Sequence, residues 1–82
     1  MKKLPETVSG SVVESTSGGD TGKLYIVIGF EKNGYLILCD GRRHKLTKPK
    51  RKNAKHVAHT GKNIAVPKTD AAVVTAIRRN KK

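Results

Sequence analysis

The densest chemistry in the chain lies between Arg42 and Lys55, where eight of fourteen residues are Lys or Arg and none is acidic. That composition suits contact with phosphate groups. Arg42, Arg43 and Arg51 offer planar forks that bridge phosphate oxygens or stack on bases, while Lys45, Lys48, Lys50, Lys52 and Lys55 act as point charges along a backbone. His44 and His56, set among these cations, read as neutral hydrogen-bonding or stacking groups. Pro49 limits the freedom lost on binding. A purely solubilising surface would mix charges of both signs. No helix or strand pattern fits residues 48–55, so an extended, solvated loop is expected, and replacing Lys48, Lys50, Arg51 and Lys52 should leave folding nearly untouched.

Other reactive side chains combine less well. His56 and His59, with Cys39 and His44, invite a metal reading, but residues three apart on a strand face opposite ways and only one thiol is present. No metal or other cofactor is expected. The acids Glu6, Glu14, Asp20, Glu31, Asp40 and Asp70 are scattered, and none stands in a motif with a nucleophile or base, so no catalytic residue is assigned. A single cysteine forms no internal disulfide, which fits a reducing, cytoplasmic setting. Residues 1–6 have the positive charge of a leader, but Glu6, Ser9 and Gly10 stand where its apolar stretch would be. An anionic membrane surface is a weaker partner than nucleic acid, because Arg42–Lys55 holds only Leu46, Pro49 and Ala54 among its charges.

Charge is divided unevenly along the 82 residues. The net +12 comes wholly from the second half: residues 1–41 carry four lysines against five acids, and residues 42–82 carry fourteen Lys or Arg against Asp70 alone. This asymmetry points to a polyanion.

The elements that must hold the basic segment are short strands. Val8–Glu14 reads as a first strand, followed by a polar stretch with glycines at 18, 19 and 22. Gly22 is assigned a geometric role, a positive φ at the loop's exit. Lys23–Phe30 is the clearest strand, dense in β-branched and aromatic residues. Asn33-Gly34 is a strong hairpin signal, and Tyr35–Cys39 returns. A two-residue turn there would oppose Lys32 with Tyr35, Phe30 with Ile37 and Ile28 with Cys39. One face would then carry Ile26, Ile28, Phe30, Tyr35, Ile37 and Cys39 as the core. Tyr25 and Tyr35 read as packing residues, Tyr25 being the better placed as a surface platform.

Arg43–Thr47 and His56–His59 complete five strands. Residues 61–68 read as a linker, and Thr69 or Asp70 caps a helix to about Arg79. Two turns with β-branched valines do not persist alone in water, so its stripe of Val73, Val74 and Ile77 either docks on the sheet face carrying Val27 and Leu38 or leaves the helix frayed. The result is a mainly β fold: an N-terminal tail over 1–7, a small five-stranded barrel over 8–60 with a basic loop at 42–55, and a short C-terminal helix with a basic tail over 69–82.

Gly10 to Ile28, a strand, a glycine-bearing loop and a second strand, resembles a KOW motif. Asp40 to Val57, with its run Gly-Arg-Arg-His-Lys-Leu-Thr-Lys-Pro-Lys-Arg-Lys, is similar to bacterial KOW-domain RNA-binding proteins related to a large-subunit ribosomal protein of archaea and eukaryotes. The resemblance covers about residues 8–60 and implies an SH3-like barrel, RNA binding and association with the ribosome. Gly19 stands where that pattern has arginine, which leaves the segment after Asp40 as the better-supported RNA surface.

The resemblance favours RNA, particularly ribosomal RNA, over DNA. Loops on a small barrel suit RNA read by shape and phosphate position, and no pattern of a groove-reading helix is apparent. A peptide-binding module of the same fold is the rival reading, but it needs an aromatic groove that this sequence scarcely supplies. The free protein is expected to be a monomer.

Overall fold

Runs of β-branched and aromatic residues separated by glycine turns produce the architecture of the computed structural model, which describes residues 7–80. Strands β1 (Ser11–Ser15), β2 (Leu24–Phe30), β3 (Tyr35–Cys39), β4 (Lys50–Asn53) and β5 (Val57–Asn63) precede one helix, α1 (Asp70–Asn80). All neighbouring pairs are antiparallel, in the order β4-β3-β2-β1-β5. The sheet is open, with β4 and β5 at its two edges and one 3-10 turn, Ala54–His56, between them in sequence. Of the expected N-terminal tail only Thr7 lies within the described residues, and the last two lysines lie outside them.

The β2–β3 hairpin departs from the expected register. Its loop has three residues, Lys32–Gly34, with positive φ at Asn33 and Gly34, and Glu31 N–H donates to Tyr35 O at 2.8 Å. Phe30 therefore opposes Leu36, one step from the two-residue register. An irregularity between Val27 and Gly29 adds a further step, so Ile26, not Ile28, opposes Cys39. Gly29 sits inside this bulge, where a strand without a side chain bends readily.

One shift exchanges the faces of the residues beyond the bulge, so Phe30 no longer shares a face with Ile37, while the two shifts together leave Ile26 on the face of Cys39 and Val27 on that of Leu38. Val13, Tyr25, Val27, Leu36 and Leu38 form one buried cluster on the inner face, with Val57 against it. Val12, Ile26, Cys39 and Val73 form a second on the other face. The helix does dock, but on the Ile26 and Cys39 face and not on that of Val27 and Leu38. Phe30 leaves the core altogether and is 52% exposed.

Residues 43–47 form turns in place of a strand, and the fourth strand falls instead on Lys50–Asn53, inside the segment expected to be a loop. Pairing with β3 supplies what local sequence does not: Leu38 opposes Lys50 and Leu36 opposes Lys52. The fifth strand runs on to Asn63, into the first three residues of the expected linker.

Two contacts seat α1. Thr69 Oγ1 caps it, accepting from Ala72 N–H at 3.1 Å, which leaves the Asp70 carboxylate to accept Leu46 N–H at 2.8 Å and tie the basic loop to the helix. Gly41 lets them meet: with φ +78, it lies so close that a Cβ would fall 2.4 Å from Asp70 O. Any larger residue would push helix and loop apart.

Candidate nucleic-acid interface

The expected contact residues divide into three groups. Arg42, Arg43, His44, Lys45 and Lys48 stand on the loop between β3 and β4; Lys50, Arg51 and Lys52 are on β4; Lys55 and His56 are exposed in the 3-10 turn. Asp40 orders the loop, since its Oδ1 accepts the N–H groups of Arg42 at 3.0 Å and His44 at 2.9 Å. Asp40 N–H donates in turn to His44 O, and Lys48 N–H to Lys45 O, both at 2.9 Å. These bonds fold the backbone inward and turn Arg42, Arg43, Lys45 and Lys48 to solvent. None of the four pairs with a carboxylate among the described residues.

Strand β4 behaves differently, and here the expectation of solvated side chains fails. Lys50 and Lys52 point to the inner face, where their ammonium groups reach Asp20 at 2.8 and 3.0 Å. Lys52 also donates to Ser17 O at 3.0 Å. The same carboxylate accepts the hydroxyls of Ser15 at 2.8 Å and Tyr25 at 2.7 Å. Asp20 is thus the centre of a cluster that links an edge strand to the β1–β2 loop, across a seam where no ladder of backbone bonds runs.

Electrostatics follow from that geometry. The Lys50 ammonium holds the Asp20 carboxyl well below the usual carboxylate range against the opposing effect of burial, aided by Tyr25, Lys52 and Ser15. Burial, then the bond to Asp20, pushes the Tyr25 hydroxyl above its ordinary range. Tyr25 is therefore a buried anchor and not a surface platform. Arg51 is also engaged, pairing with Glu31 and lying over the Tyr35 ring at 4.9 Å.

Tertiary structure adds cations that the linear segment lacks. Lys23, Arg42 and Arg78 line a cavity of about 280 Å³ floored by Leu24, Val74 and Ile77. A second cavity, of about 410 Å³, shares Lys23 and Asp40 with the first and adds Arg43, His44 and the Asp20 carboxylate with its partners Lys50 and Lys52. Strand mouth, loop, edge strand and helix end so place their basic groups around two adjoining hollows. Arg78 was expected only as part of a basic tail, and Lys23 was missed by the sequence reading altogether. Its signal was its place directly after Gly22, whose φ of +92 turns the chain into β2. His59 lies apart on β5, held by Gly61 N–H and Asn63.

Neither the protein-family models nor the curated proteins compared with this chain gave a match.

Proposed function

We propose that this chain is a non-catalytic, monomeric and cytoplasmic RNA-binding protein of the KOW type, associating with ribosomal RNA of the large subunit or its assembly intermediates. The observation that carries this reading is the gathering of Lys23, Arg42, Arg43 and Arg78 around two adjoining cavities at one end of the sheet. Cations from three distant stretches of chain, held by an ordered loop, present a preformed positive surface to a phosphate backbone. A fixed, loop-borne surface favours RNA recognised by its shape and phosphate positions. The strand order also supports an SH3-like barrel, since β4 and β5 lie at the two edges and the Asp20 cluster draws β4 toward the β1–β2 loop. No helix among the described residues is long and apolar enough to cross a membrane.

The test is the salt dependence of binding to structured RNA, together with ribosome pelleting before and after RNase. For about five phosphate contacts the logarithm of affinity falls with that of salt at a slope of roughly −3.5 to −4.5. Replacing Arg42, Arg43, Lys45 and Lys48 by Ala should flatten that slope by about three. These side chains are exposed, so the variant stays folded. A folded variant that pellets as wild type does, with the same slope, overturns the assignment.

A further inference from the structure

We infer that Phe30 is a stacking platform for an unpaired nucleobase, so that the RNA bound by this protein carries a single-stranded loop or bulge beside its paired region. This inference rests on the RNA-binding reading and specifies its target. Isolated apolar side chains are ordinary on protein surfaces; the surroundings of Phe30 set it apart. The chain has only three aromatic rings of the Phe and Tyr type and no tryptophan. Tyr25 is buried at 1% exposure, and one face of Tyr35 is covered by the Arg51 guanidinium. Phe30, at 52% exposure, is the ring left open.

The hairpin register puts it there. Because the loop takes three residues and the strand bulges at Ile28 and Gly29, Phe30 opposes Leu36 at the rim of the sheet, where it stays half exposed among the described residues. It borders a shallow hollow of about 650 Å³ shared with Glu31, Lys32, Asn33 and Arg51. Arg51 is fixed between Glu31 and Tyr35, and Lys32 is exposed beside it. An open ring flanked by a positioned guanidinium and an ammonium group offers a π-face for a base and positive charge for its phosphate. A peptide partner would find one ring and no apolar groove. Roughly 20 Å separates Phe30 from the Lys23 end of β2, at about 3.3 Å per residue, so one RNA reaches both sites.

The experiment compares a stem-loop RNA with an all-adenosine loop and the blunt duplex of the same stem, binding each to the full chain. Phe30→Ala should weaken stem-loop binding about tenfold and leave duplex binding unchanged. Phe30→Trp introduces the sole tryptophan of the chain; this variant should retain affinity and lose fluorescence on binding the stem-loop but not the duplex. Equal binding of both RNAs by wild type and Phe30→Ala, or unquenched tryptophan fluorescence of Phe30→Trp in the stem-loop complex, overturns the platform alone. Failure of wild type to bind either RNA overturns the RNA-binding reading and the platform with it.

Discussion

Replacing Asp20 by Asn removes one negative charge from between Lys50 and Lys52 while keeping the side chain's size. The carboxylate accepts four side-chain bonds, two of them from ammonium groups at 2.8 and 3.0 Å. Breaking a buried ion pair by deleting one partner costs roughly 3–5 kcal/mol. The side chains of Asp20, Lys50 and Lys52 are 13, 27 and 11% exposed, so water recovers part of this, and about 2–3 kcal/mol is expected. A domain of this length has a total stability of roughly 4–12 kcal/mol. The melting temperature should therefore fall by roughly 10–20 °C, at about 4–8 °C per kcal/mol. Thermal unfolding followed by circular dichroism measures it. Lys52→Met in the Asp20→Asn background should cost less than Lys52→Met alone, because the lysine has already lost its counter-charge. A melting temperature within about 3 °C of wild type for Asp20→Asn, or strict additivity of the two changes, would refute the view that this cluster holds β4 to the β1–β2 loop.

The same carboxylate sets a pH dependence. Its folded pKa is depressed, so its stabilisation is present above the unfolded value of about 4 and is lost as pH falls below that. Between about pH 4 and pH 2 wild type should lose more stability than Asp20→Asn, and parallel curves would contradict this. Gly22→Val should cost on the order of 1–3 kcal/mol through backbone strain alone, since φ is +92 and no atom lies within 4 Å of the new Cβ; an unchanged melting temperature would remove the geometric role. Cys39 lies under Val73, and burial pushes its thiol up to about 11. It should resist thiol reagents near pH 8 in the full chain and react readily once residues 69–82 are removed. Equal rates would show that α1 does not shield it.

Local sequence was enough for features governed by local chemistry. The charge split, the β-branched runs of β2 and β3, the positive φ at Gly22 and the capped helix at 70–80 depend on residues near one another, and each was legible in the chain. So was the placement of cations after Asp40, though not their division of labour. Long-range pairing decided that division: Lys50 and Lys52 look like their neighbours in a basic run, and only the approach of Asp20, 30 and 32 residues away, makes them structural. Strand β4 itself arises in the same manner, since a Lys-Arg-Lys-Asn stretch has no strand pattern until β3 offers Leu36 and Leu38 as partners.

Register was the other quantity beyond the reach of sequence. Asn33-Gly34 correctly marks a turn, but the same dipeptide serves loops of two or three residues, and one residue of slip exchanges the faces of a strand. That slip, with the bulge at Ile28 and Gly29, turned Phe30 away from the Ile26 face and out to the rim, while Ile26 and Cys39 kept a common face that α1 came to cover. Residue types along the chain determined that there would be strands, a turn and a helix. Which face each side chain met was decided by the packing of elements far apart in sequence, because the free energy separating the alternatives lies in tertiary contacts and not in the turn.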